Sequence, residues 1–446
     1  MFDVDAVRAQ FPITAQRFKV TGADEPQPVI YLDHAASTHP PTPVLAMLRE
    51  FLEHSYANVH RGRHFLSQIA TEHFEHVSGA VLSFIGGARE GNGLVLCGNT
   101  TQALDLASHV MADVPGPTLV TVLEHHSNDL PHRRRGKVVH VRVTADGRLD
   151  MDDLAAKLKS ERPKLLAVTG ASNVTGWRPD LHAIARLAHA HGALVLVDAA
   201  QLLAHAPLDV RPNGDPEHLD FVAAAGHKAY APFGSAFLFG PADRLDAAPP
   251  YVPGGGTVWY VTEDDVFFKK SPDRHEGGTP NIVGAIAMST ALGFLKALGM
   301  DAVREHEQVL TRRALEGLQA IDGVTILGPP EPEQRIGVIA FNIEGVRHER
   351  AATILNQEAA IAVRNGCFCA HPYLYKLLGL HDTTALRERL RAGDDSNLPG
   401  AVRPSFGVFN NEAEVDRLLE VVRDIRAGRF EGRYEDIPPG STCQEI

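Results

Sequence analysis

Short, continuous apolar runs alternate along this chain with longer stretches whose apolar residues recur at helical spacing. PTLVTVLE, KLLAVTG, LVLVD, LDFVAAA and SAFLFG are Val-, Leu-, Ala- and Phe-rich runs of strand length. Runs without polar alternation are what strands buried on both faces require. Residues 43–54 and 67–85, and the segment LHAIARLAHAHG, carry the helical spacing instead. Strand-like runs separated by helical ones predict an α/β fold with a mostly parallel sheet covered on both faces. Residues 1–30 read as a short helix followed by a polar loop, and VIYLDHAAS begins the ordered structure. From about 300, helical patterning mixes with the runs GVTILG, IGVIAFNI and RPSFGVFN, which predict strands of a smaller α+β layer. The predicted division is an N-terminal arm over 1–30, a large domain over 31–295 and a small C-terminal domain over 296–446.

Polar candidates gather where the apolar runs end, and open parallel sheets bind their ligands at such ends. AAAGHKAYAPFG places His227 and Lys228 just past a strand. A lysine there can form a Schiff base with an aldehyde. Its bland alternative is a surface lysine. Asp198 closes LVLVD and is followed by Gln201. An Asp at a strand end can hold a cationic ring nitrogen, or it can cap a turn. Together these residues point to pyridoxal 5′-phosphate. His125, after LVTVLE, could lie flat on that ring or be a hydrogen-bonded turn histidine. Asn173 stands at the next strand end. Gly98-Asn99-Thr100-Thr101 offers N–H groups and hydroxyls at a helix start, suited to a phosphate. It lacks the lysine and spacing of a nucleotide P-loop. His227 and Thr279 are further phosphate candidates.

VRNGCFCAHP sets Cys367 and Cys369 in one loop, between Gly366 and Pro372. A thiol there can accept sulfur as a persulfide. Plain buried thiols or a metal-binding pair are the competing readings, and His371 either tunes the loop or shapes it. Arg403, with Arg364 as a second candidate, offers a guanidinium that fits an amino-acid carboxylate. A surface ion pair is the alternative for Arg403.

Composition narrows the partners. The 446 residues carry 43 Lys and Arg against 55 Asp and Glu, a net −12, which argues against a broad nucleic-acid surface. The one dense basic run, PHRRRGK, reads as a solvated turn or a rim contact. Four cysteines form no disulfide framework for this length. The N-terminus has no apolar signal core and no run is long enough to span a bilayer, so a cytoplasmic location is expected.

The motifs YLDHAAS, YANVHRGRHFLSQIAT, GNTTQAL, EHHSN, SNVTG, VDAAQ, GHK, GGG, EGGTPN, VRNGCFCAHP and RPSFGVFNN occur in this order. In this the chain resembles the class V aminotransferase superfamily, especially the SufS-like (group II) cysteine desulfurases and selenocysteine lyases. The resemblance implies fold type I of the pyridoxal-phosphate-dependent transferases and a homodimer with each active site near the subunit interface. It implies Lys228 as the Schiff-base lysine, His125 stacked on the ring, Asp198 on the pyridine nitrogen and Gln201 on the phenolic oxygen. Thr100, Thr101, His227 and Thr279 fall to the phosphate, Thr279 from the partner subunit. Arg403, Asn173 and Arg364 fall to the substrate, and Arg61 and His64 lie in a stretch near its entrance. Cys369 matches the persulfide cysteine. The implied reaction converts L-cysteine to L-alanine and passes sulfur to an acceptor protein or small thiol. Other class V chemistry (selenocysteine lyase, aminotransferase, epimerase) is the alternative. The chain departs from the family at the cysteine loop, RNGCFCAHP against the usual RTGHHCAMP, and its GCFC also resembles the loop of molybdenum cofactor sulfurases.

Overall fold

The structure is a computed structural model and describes residues 2–434; Cys443 lies outside them. Its main sheet has seven strands. In spatial order they are Asn92–Cys97, Ala236–Pro241, Phe221–Ala225, Leu194–Asp198, Leu165–Thr169, Thr118–Thr121 and Val138–Val141. The last five pair in parallel. Ala236–Pro241 runs antiparallel to both of its neighbours. The expected mostly parallel sheet is therefore present, with one reversed strand inside it.

Both faces are buried, for the reason the apolar runs suggested. Leu166, Val168, Val195, Val197, Val222 and Ala224 face one cluster, with Ala70, Phe74 and Val77 of the helix Phe65–Phe84 and Ile184 of Leu181–His189. Their chain neighbours Leu165, Ala167, Leu196, Phe221 and Ala223 face the other, against Ala103, Leu104 and Ala107 of the helix Thr100–Val110. Successive strand residues point to opposite faces, so no position in these runs can be polar without being buried.

A second, antiparallel sheet orders Val324–Ile326, Phe341–Ile343, Ala401–Arg403 and Arg364–Gly366. The helices Met300–Gln319, His348–Ala359 and Glu412–Arg426 cover it through Leu310, Leu318, Ile354, Leu355, Val415 and Leu418. This is the smaller α+β layer. RPSFGVFN is not the strand its pattern suggested: only Arg403 of it belongs to one, Ala401–Arg403, and of IGVIAFNI only Phe341–Ile343 does. Pro404 has no N–H to donate and stops the ladder at Arg403. The two layers meet at a seam where Ile336 N donates to Gly176 O at 2.9 Å. Gly176 has φ +74°, and a Cβ there would stand 2.6 Å from Val338 O and 2.7 Å from Ile336 O.

The basic run PHRRRGK forms most of the helix Leu130–Arg135 rather than a turn. Arg133 and Arg135 are paired with Asp129 and Asp105, so the run is largely neutralised locally. Among the described residues, no single helix is long and apolar enough to cross a membrane.

Candidate active site

The C-terminal ends of the parallel strands and the edge of the smaller layer enclose a cavity of about 340 Å³. Thr100, Thr101, His125, Asn173, Asp198, Gln201, His227, Lys228, Arg364, Cys369 and Arg403 all line it. Each arrives for a local reason. Asp198 is the last residue of its strand, and the turn after Phe221–Ala225 carries Gly226-His227-Lys228. Asn99 caps the helix Thr100–Val110, its side chain accepting from Gln102 N, which aims that helix start at the cavity.

The amine end is electrostatically unusual. Burial, only partly offset by the Asp198 carboxylate, holds Lys228 down at about 8. Burial raises Asp198, which accepts one hydrogen bond from Ala200 N at 3.0 Å. Burial, then the nearby Lys228, drives His125 to about 3 and His227 to about 4, so both rings are neutral at pH 7. His125 Nδ1 accepts from Ser127 N at 3.1 Å, which assigns its proton to Nε2.

At the opposite wall, Arg403 donates to Asn173 O at 2.8 Å and lies over the Phe368 ring, 4.6 Å from its centroid. Burial lowers it only to about 10, so it stays cationic. Arg364 is paired across the strands with Arg403. Like charges facing across a ladder repel. Asp33 stands between them, 2.9 Å from Arg364 and 3.7 Å from Arg403.

The cysteine loop closes down on this wall. Asn173 Nδ2 donates to Phe368 O at 2.6 Å and His126 N donates to Cys369 O at 2.8 Å. His371 N donates to His126 Nε2 at 3.2 Å, and the two rings stack at 4.9 Å. His371 thus fastens the loop to the strand-end turn. Cys369 is exposed at the mouth while still lining the cavity.

Pyridoxal phosphate was tested against unsatisfied groups. Thr100 Oγ1, Gln201 Oε1 and Arg403 Nε are buried without a hydrogen-bond partner. Buried polar atoms ordinarily have partners, and these three belong to residues lining the cavity, where a bound molecule can supply them. A donor at a helix start, an acid at a strand end and a deep amine fit the phosphate, ring nitrogen and aldehyde of this cofactor. Two expected residues lie elsewhere. Thr279 is exposed and does not line this chain's cavity, and exposed His64 caps the helix Phe65–Phe84 by accepting from Ser67 N. Arg61 is exposed as well. Sequence reasoning did not single out Ser127, hydrogen-bonded to Thr101 at 2.7 Å, or Asp33, although both lie inside the motifs EHHSN and YLDHAAS.

An α/β frame of two sheets with an amine, an acid and a helix start gathered at its strand ends is the fold type I architecture of pyridoxal-phosphate-dependent enzymes. The comparisons place it further. The aminotransferase class-V family model matches residues 30–418. The cysteine desulfurase of Dickeya dadantii is 37% identical over 428 residues, 94% of this chain and 95% of that one. That of Escherichia coli O127:H6 is 36% identical over 434 residues, covering 95% and 98%. The apo cysteine desulfurase of Thermococcus onnurineus superposes with a TM-score of 0.83 at 32% identity, covering 95% and 98%. The chain belongs to the class V aminotransferase superfamily and, within it, to the cysteine desulfurase family.

Proposed function

We propose that this protein is a pyridoxal 5′-phosphate-dependent L-cysteine desulfurase that forms L-alanine and holds the released sulfur on Cys369. One observation carries the reading: Lys228, Arg403 and Cys369 line the same small cavity. When bound, the cofactor supplies an electron sink for the substrate's Cα and Cβ. Asp198 would hold its ring nitrogen, His125 its ring face and Gln201 its phenolic oxygen, and Thr100, Thr101 and His227 would hold its phosphate.

Arg403 and Arg364 take the substrate carboxylate, with Asn173 fixing Arg403 through its carbonyl. Lys228 carries the proton away from Cα, which a lysine held near 8 can do at neutral pH. Cys369 Sγ bonds to the substrate sulfur, the Cβ–S bond breaks with its electron pair going to carbon, a proton is delivered to Cβ, and Lys228 returns the proton to Cα to complete alanine. The exposed position of Cys369 then lets an acceptor protein or small thiol reach the persulfide.

Thr279 enters this scheme through a second copy of the chain. The hairpin Val258–Val261/Val266–Phe268 exposes Trp259, Tyr260, Val261, Val266 and Phe267, and Phe65 and Phe233 are also exposed. An apolar surface of this kind supports a homodimer.

Incubating the cofactor-loaded protein with L-cysteine and measuring alanine tests the reaction. Formation should fall at least 100-fold in Cys369→Ser, a rough expectation for losing the attacking nucleophile. Full retention rejects Cys369 as the sulfur carrier. No alanine from either protein moves the reading to another class V reaction.

A further inference from the structure

The cysteine loop holds two thiols with different surroundings. Cys369 lines the cavity, whereas Cys367 is half-buried beside Tyr375 and packs on the main core. The backbone between them is unusual. Phe368 and Cys369 have φ +56° and +54°, and Ala370 N donates to Cys367 O at 3.1 Å. Two consecutive left-handed residues closed by that bond make a type I′ turn, with the cysteines at its first and third positions.

Left-handed backbone is costly for residues with a Cβ and persists only where the surroundings hold it. Here they do. Phe368 is held by Asn173 and by the Arg403 guanidinium on its ring, Cys369 by His126. The result is to fold the chain back sharply between the two thiols. Residues two apart around such a bend have Cα atoms about 5.5 Å apart, inside the span a disulfide bridges. Cys369 lines the cavity and Cys367 does not, so Cys369 must swing out of the cavity to meet Cys367. Its open side faces solvent, which leaves room for that movement.

We propose that Cys367 is the resolving thiol of Cys369: it attacks Cys369 Sγ once that sulfur carries a leaving group, closing a Cys367–Cys369 disulfide. In its main form this rests on the desulfurase reading. The Cys367 sulfur bonds to Cys369 Sγ, the bond from Sγ to the outer sulfur breaks, and hydrosulfide leaves with the electron pair. The proton lost by Cys367 leaves with it as H₂S. The outer sulfur is reduced to sulfide and the Cys367 sulfur is oxidised to the disulfide level. An external thiol reductant then restores both thiols. After oxidation of Cys369 by a hydroperoxide to the sulfenic acid, the same attack expels water.

The test is peptide mass mapping of the holoenzyme after one equivalent of L-cysteine per active site, with no other thiol added, in wild type and Cys367→Ser. In wild type, sulfide should equal alanine, and the loop peptide should lose about 2 mass units. In C367S the peptide should instead gain about 32 mass units, and sulfide release should fall at least tenfold, a rough expectation for loss of an intramolecular thiol. A wild-type persulfide that persists beside a free Cys367 overturns the proposal. If neither protein makes alanine, the desulfurase reading has failed, and one equivalent of hydrogen peroxide decides the dithiol question. A Cys367–Cys369 disulfide then supports the resolving role. Oxidised Cys369 beside a free Cys367 overturns it.

Discussion

Lys228 and Asp33 show how burial gives ordinary side chains their particular behaviour. Asp33 separates two guanidiniums that the strand register sets face to face. Its carboxyl is raised by burial while both arginines pull it down. Lys228 is the mirror case, an amine lowered to about 8 by burial. Only the neutral amine condenses with an aldehyde. Its fraction rises as pH passes upward through that value. The rate at which the cofactor-free protein captures pyridoxal phosphate should therefore climb from about pH 7 to about pH 9 and then level. An ordinary lysine, near 10.4, would still be climbing at about pH 10. Stopped-flow absorbance of the captured cofactor reads the difference, and a rate that keeps climbing past about pH 10 contradicts the lowered value.

Among the elements, the helix Glu412–Arg426 starts most sharply. Asn411 accepts from Glu414 N at 3.0 Å, and the Glu414 carboxylate accepts from Asn411 N at 3.2 Å. Asn411→Ala removes the cap and should cost about 1 kcal/mol, read as a lower urea midpoint at unchanged slope. Strands such as LVLVD and KLLAVTG were readable in the sequence because burial on both faces leaves no polar position in them. The same uniformity hid the reversal of Ala236–Pro241, since an apolar run looks identical in either direction. The site divided in the same way. Asp198 and Arg403 end strands and Lys228 lies in the turn just past one, where a sequence marks them. The left-handed pair Phe368-Cys369 carries no glycine to announce it, and its contacts come from distant segments. Asp33 gains its meaning only from two arginines far along the chain.

For the whole molecule, the exposed aromatic hairpin is the feature a single chain does not account for. Replacing Trp259 and Phe267 together with Asp should shift the protein from dimer to monomer in light scattering after gel filtration. On the proposal that Thr279 reaches a neighbouring copy's cavity, turnover should fall with it. A double variant that remains dimeric assigns the interface to another face.

Gly176 sits where the two layers touch, with no space for a methyl group against the carbonyls of Ile336 and Val338. Lys228 and Asp198 belong to one layer, Arg403 and Cys369 to the other. The reach from amine to thiol is thus a clearance across the seam, and this glycine is one of the shims that set it. Drift in sequence can repack either layer while leaving the chemistry in place, provided the thickness of this contact and of those joining Asn173 and His126 to the cysteine loop does not change.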